Sequence, residues 1–147
     1  MKNQKYTIDA SVWVNSFDKL EKGNEMSRQF LSKLKQLSLP LIVPSLLIVE
    51  VAGAISRSRK DEATAKSFAK AISQVPNTTF VPIDITLSER ATELAAQYKL
   101  RGADAIYAAV AVEHDCILVS LDNEHLTRLS TLITTLTPAE ALAQMDV

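Results

Sequence analysis

One cysteine, one tryptophan, three glycines and a formal net charge of −1 in 147 residues exclude several kinds of protein at once. A lone thiol closes no disulfide within its own chain, so the fold must rest on apolar burial. At 47% hydrophobic residues the chain can build one continuous core, and a single domain over residues 1–147 is expected. Cys116 sits in the apolar run Cys116-Ile117-Leu118-Val119 and reads as a small buried hydrophobe, not a ligand or nucleophile. The amino end, Met1-Lys2-Asn3-Gln4-Lys5, leads into a short apolar segment only. Neither a secretory core nor a membrane span is therefore expected, and a cytoplasmic location follows by elimination. The near-neutral charge offers no long-range field to announce a nucleic-acid partner. It does not exclude one, because bound divalent cations can supply the positive charge that grips phosphates.

No internal repeat, low-complexity tract or Pro/Gly/Ser-rich linker divides the chain. Strand-like runs fall at about Tyr6 to Asp9, Leu41 to Val43, Phe80 to Pro82, Cys116 to Ser120 and Leu132 to Thr135. Between them lie helical stretches: Asn24 to Leu37 with Met26, Phe30, Leu34 and Leu37 at helical spacing, Ser45 to Ser58 with Ser45 as N-cap, Asp61 to Gln74, Thr86 to Tyr98, and Ala103 or Asp104 to His114. The alternation predicts an α/β fold with a parallel sheet of four to five strands and helices on both faces. In such sheets ligands bind outside the carboxyl ends of the strands.

Four acids fall where that crevice should be. Asp9 ends the first strand and Asp122 follows the fourth; each has an alternative reading as the N-cap of the next helix. Glu50 shares a helix face with Leu46, Leu47, Gly53 and Ala54, so its carboxylate faces the packed side and must be neutralised, paired or coordinated to a cation. An ion pair to Arg57, two turns on, is the structural alternative. Asp104 opens an alanine-rich helix; it either complements the helix dipole or, with Ala108 and Ala111 leaving room on its side, faces a ligand.

Two unit negative charges about 4 Å apart repel by about 4 kcal/mol at an effective dielectric of 20, so a converging acidic cluster needs a cation. Oxygen ligands without cysteine or suitably spaced histidine select magnesium or manganese over zinc. His114 and His125 lack metalloprotease spacing and read as surface residues. The basic segment Arg57-Ser58-Arg59-Lys60 reads as a solvated helix end, with contact to RNA phosphates as the alternative. A dehalogenase-like phosphatase needs an acid where Ser11 stands; a receiver domain needs paired acids after the first strand. A serine or cysteine triad lacks its Gly-x-Ser-x-Gly elbow or reactive thiol.

Ile8-Asp9-Ala10-Ser11, Glu50 within Pro44-Ser45-Leu46-Leu47-Ile48-Val49-Glu50-Val51, Ala103-Asp104-Ala105-Ile106-Tyr107-Ala108-Ala109 and Ser120-Leu121-Asp122 together resemble the motifs of PIN domains, in order and across nearly the whole chain. The match is nearest to VapC-type toxins of toxin–antitoxin modules. The resemblance implies a three-layer PIN-like fold and an endoribonuclease that hydrolyses RNA phosphodiester bonds with Mg²⁺ or Mn²⁺. It implies Asp9 and Asp104 as principal metal ligands, Glu50 and Asp122 completing the pocket, and Ser11 and Ser120 hydrogen-bonding the carboxylates or coordinated water. It also implies a cognate antitoxin that lays a helix or tail into a groove, and a homodimer. Asn123-Glu124-His125 after Asp122 departs from the pattern, which often places a hydrophobic residue three positions on. The rival reading is a PIN-like module that binds RNA or protein without cleaving; its acids should then be replaced, and here they are intact.

Overall fold

The computed structural model describes residues 4–145. Five short strands run in the order β3-β2-β1-β4-β5, every neighbouring pair parallel. They are β1 (Tyr6–Ile8), β2 (Leu41–Pro44), β3 (Thr78–Val81), β4 (Ile117–Val119) and β5 (Thr135–Leu136). The helices are α1 (Ala10–Phe17), α2 (Asn24–Gln36), α3 (Leu46–Arg59), α4 (Glu62–Ser73), α5 (Ile85–Tyr98), α6 (Gly102–His114), α7 (Asn123–Leu129) and α8 (Pro138–Met145).

Central parallel strands are covered on both faces, which is why β1 and β2 are apolar or small and wholly buried, while edge strand β3 is only partly covered. Tyr6 packs edge-on against Phe30 of α2, ring centroids 5.7 Å apart. Alanine-rich α6 lies directly on β1, β2 and β4, its Ala105, Ala108, Ala109 and Ala111 buried because small residues let a helix approach a sheet closely. Buried Asn15 fixes the turn from α1 to α2: its Nδ2 donates to Glu21 Oε1 at 2.8 Å and its Oδ1 accepts from Ser27 Oγ at 2.7 Å.

Several boundaries differ from expectation. The last strand lies at Thr135–Leu136, not Leu132 to Thr135, because Leu118 N donates to the carbonyl of Thr134 and sets the register there. The third strand begins two residues earlier than expected, at Thr78, on the pairing Leu41↔Thr78. Ser45 holds the N-cap position of α3, yet its backbone is already helical and its hydroxyl makes no cap bond. Of the expected α2 stripe, Phe30 and Leu34 are buried, but Met26 and Leu37 are 42% and 41% exposed. Helix α8 carried no clear signal in sequence. Cys116 is buried as expected, and no helix among the described residues is long and apolar enough to cross a membrane. Residues 1–3 of the amino-terminal segment lie outside the described residues.

Candidate functional site

Strand order reverses at the centre of the sheet, since β1 leads by way of α1 and α2 to β2 on one side, whereas β4 lies on the other. A crevice forms at such a switch point. The register Ile8↔Val119 then places the next residues, Asp9 and Ser120, side by side at its rim, held by Asp9 N donating to the Val119 carbonyl at 3.2 Å.

Asp9 is only 6% exposed, and both its oxygens are engaged. Oδ1 accepts from the Ser11 backbone N–H at 3.1 Å and from the Ser11 hydroxyl. Oδ2 accepts from the Ser120 hydroxyl and faces His125 Nδ1 at 3.4 Å. The capping reading and the site reading of Asp9 are thus both realised, with the Ser11 bond capping α1. The serines are themselves anchored: Ser11 Oγ accepts from Leu121 N and Ser120 Oγ from Asp122 N, each at 3.0 Å. These bonds tie the loop after β4 to the end of β1.

His125 is a correction to the sequence reading. It is not on the surface but 2% exposed, with Nδ1 3.4 Å from Asp9 Oδ2 and 3.7 Å from Asp104 Oδ1. Its Nε2 is buried without a hydrogen-bond partner among the described residues. The signal lay in the sequence: three residues after an N-cap and four before Leu129, position 125 is on the inward face of α7, where the family often has an apolar residue. Burial alone would lower the imidazole pKa; the hydrogen bond to Asp9 and the charges of Asp104, Asp9 and Asp122 outweigh it and raise the value above the ordinary one. His114, at the end of α6, is half-buried.

Glu50 comes from α3 and Asp104 from α6. Glu50 Oε1 accepts from the Tyr107 hydroxyl at 2.7 Å, and the ion pair with Arg57 does not form. Tyr107 is a second residue that sequence reasoning left without a role; a tyrosine hydroxyl buried one turn after Asp104 needs a partner, and Glu50 is that partner. Desolvation raises the Glu50 pKa, with the charges of Asp9 and Asp104 adding to it and the Tyr107 bond and His125 opposing. Desolvation likewise raises Asp104, reinforced by Asp122 and Asp9 and opposed by His125 and Arg101. Glu50 is thus coupled to Asp9 and Asp104, and Asp104 to Asp9 and Asp122.

Asp122 is the member with another task, because its Oδ1 caps α7 by accepting from the backbone N–H groups of Glu124 and His125 at 3.0 and 3.2 Å. It also stands between two openings. A groove of about 670 Å³ runs past Ser11, Glu50 and Arg57, and a smaller pocket of about 150 Å³ holds Asp104 and His125; Asp122 borders both.

Among the described residues, no three His, Cys, Asp or Glu side chains already converge as a preformed metal cage. The donor chemistry nevertheless fits a hard divalent cation. Asp9, Glu50 and Asp104 offer desolvated carboxylate oxygens whose mutual repulsion a cation would relieve.

The PIN domain profile matches residues 6–131, and the chain belongs to the PIN domain family. Solved structures share its fold at low sequence identity. PAE2754 from Pyrobaculum aerophilum superposes with a TM-score of 0.71 at 19% identity, covering 98% of this chain and 90% of that one. VapC20 of Mycobacterium tuberculosis, a sarcin–ricin loop cleaving toxin, gives 0.67 at 16% over 83% and 93%. VapBC2 from Rickettsia felis, bound to a DNA fragment from its promoter, gives 0.69 at 15% over 90% and 98%. No curated protein matches the sequence. The five-stranded parallel sheet with flanking helices is thus a PIN-like α/β fold.

Proposed function

We propose that this chain is a metal-dependent endoribonuclease that hydrolyses RNA phosphodiester bonds, working in the cytoplasm as the toxin of a toxin–antitoxin pair. The observation that carries the reading is the set of desolvated, mutually repelling carboxylates of Asp9, Glu50 and Asp104 at the switch point of a PIN-like sheet. A protein without use for a cation would gain stability by replacing them.

Asp9 and Asp104 are the principal ligands for Mg²⁺ or Mn²⁺ in this reading, with Glu50 and Asp122 completing the pocket. The cation, when bound, polarises the phosphate and makes a bound water more acidic. The protein's part is positioning. Ser11 and Ser120 fix both oxygens of Asp9, and Tyr107 fixes Glu50 Oε1, so the carboxylates keep their places while substrate changes. Asp122 Oδ1 is committed to α7, so Asp122 acts through its remaining oxygen.

The toxin assignment is supported by the likeness to VapC20 and VapBC2 and by the motif order. It implies a cognate antitoxin laid into a groove and a homodimer, neither of which the nuclease chemistry requires.

The test is incubation of purified protein with total cellular RNA and Mg²⁺ or Mn²⁺, beside Asp104→Asn and an EDTA control, with new RNA ends mapped by sequencing. Discrete ends that vanish in both controls are expected. Identical profiles in all three would replace the nuclease with a non-catalytic RNA- or protein-binding module. Co-expression with the adjacent gene product then decides toxin status by whether growth arrest is relieved.

A further inference from the structure

The carboxylates create a difficulty for any nucleic-acid substrate, since the groove that reaches them is lined by Glu21, Glu50 and Asp122 and repels a polyanion. One cation lines the same groove: Arg57. Three basic residues end α3, and the structure separates them. Arg59 is turned toward α1, with Nη2 3.6 Å from Asp18 Oδ1 and its guanidinium 5.2 Å above the Phe17 ring. Lys60 is the left-handed C-cap, beyond the last turn. Arg57 makes no hydrogen bond or ion pair with any described residue, although a helix spacing of seven puts it on the face of Glu50.

Its position is set by Gly53. A Cβ at residue 53 would stand 3.1 Å from Arg57 Nη1, tighter than nine in ten such contacts, so the guanidinium lies back along the helix over a residue without a side chain. Glu50 and Arg57 are separated by roughly 10 Å of helix rise, and folding back over Gly53 shortens the distance between their charged ends. None of the three acids draws Arg57 into a pair: Glu50 is held by Tyr107, Glu21 by Asn15, and Asp122 caps α7. The groove thus holds a fork of N–H donors, without a partner among the described residues, in the same lining as Glu50 and Asp122.

We propose that Arg57, seated over Gly53, is a substrate-positioning residue that binds an RNA phosphate neighbouring the one cleaved. The cleavage step rests on the proposed nuclease activity, and the phosphate contact on the placement of Arg57 in the groove. A planar guanidinium takes two phosphate oxygens at once, which a lysine cannot do. Gly53 matters because a methyl there asks the fork to give by only a few tenths of an ångström, whereas a long side chain would compete with it for the groove wall.

The experiment measures binding of a fluorescein-labelled single-stranded oligoribonucleotide by anisotropy, in Ca²⁺ over a KCl series, for wild type, Arg57→Ala, Arg57→Lys, Gly53→Gln and Arg59→Ala. Single-turnover cleavage of the RNA found above runs alongside. Arg57→Ala should weaken binding about tenfold, as expected for loss of a charged hydrogen bond. It should lower the slope of log Kd against log salt by about 0.7, the value for one phosphate contact on a single strand. KM should rise by a similar factor, with kcat within about twofold. Arg57→Lys should restore part of the loss, Gly53→Gln should reproduce it, and Arg59→Ala should match wild type. Thermal melting of Arg57→Ala should match wild type, because no partner is lost. An unchanged Kd and salt slope in Arg57→Ala, or an equal loss in Arg59→Ala, overturns the proposal. Cleavage with Arg57 neutral refutes this inference and leaves the nuclease. Arg57-dependent binding with no cleavage in any metal refutes the nuclease and leaves this inference.

Discussion

Replacing Asp104 with asparagine should stabilise the metal-free protein while removing its response to magnesium. Asp9 Oδ2 and Asp104 Oδ1 both face His125 Nδ1, at 3.4 and 3.7 Å, so those two oxygens are at most about 7 Å apart. At that separation and an effective dielectric of 20, two carboxylates repel by about 2 kcal/mol. Water reaching the quarter-exposed Asp104 side chain and the opposing His125 reduce this, leaving about 1 kcal/mol and a melting temperature about 2 to 4 °C higher in EDTA for Asp104→Asn. The sign with pH follows from a raised folded-state pKa. Asp104 favours folding only while the native carboxyl holds its proton, and that advantage is lost as pH rises through the folded value. The gain from Asp104→Asn is therefore full near neutrality and shrinks toward the ordinary aspartate value of 3.8. Magnesium at ten times its Kd should add about 1.4 kcal/mol to the wild type and far less to the variant. Differential scanning fluorimetry with and without Mg²⁺ reads both effects. A variant that melts lower than wild type in EDTA, or gains as much from Mg²⁺, refutes the reasoning that repulsion at this site is relieved by a cation.

Other substitutions probe the shell that holds the acids. Tyr107→Phe removes the hydroxyl that opposes the rise in the Glu50 pKa, so the acid limb of the cleavage–pH profile should move upward, with about 1 to 2 kcal/mol lost in urea unfolding. Ser120→Ala leaves a buried Asp9 oxygen short of its donor and should cost about 1.5 to 3 kcal/mol in EDTA, a loss smaller when Mg²⁺ is present. Burial pushes the Cys116 thiol from 9.0 up to about 11, so native protein should resist iodoacetamide at neutral pH and react freely in urea. Because the folded value lies above the unfolded one, the stability tied to that thiol is complete below pH 9.0 and is lost as pH rises through about 11.

The parallel sheet was legible in sequence because β1, β2 and β4 are short apolar runs separated by helical periods; Asp9 and Asp122 were read from strand ends, Glu50 from a helix face and Asp104 from a helix start. Less legible was whatever depended on the turn of a helix in three dimensions. Asp122 illustrates the limit: one carboxylate can cap α7 and border the groove together, so neither of the two readings excludes the other. His125 illustrates it more sharply. Absent zinc-type spacing, a histidine in a polar stretch reads as solvated, yet the Asp122 cap fixes where α7 begins and so turns position 125 inward. The strand at Thr135–Leu136 has only two residues, too few for periodicity to register.

The site can be understood as a problem of charge compensation solved in layers. Four acids around one strand end cannot all be ionised and dry without opposing charge. Hydroxyl donors from Ser11, Ser120 and Tyr107 offset part of the desolvation without carrying charge. His125 supplies an imidazole between Asp9 and Asp104, and the interactions that raise its pKa also favour its charged form beside them. That imidazole sits on the buried side of the carboxylates, only 2% exposed. On the solvent side the chain offers Arg57, set along the groove and not among the acids. Arg101 also opposes the rise at Asp104, yet the mutual repulsion of Glu50, Asp104 and Asp9 is only partly met, and on the proposed reading these residues would hold a divalent cation that would supply the remaining positive charge.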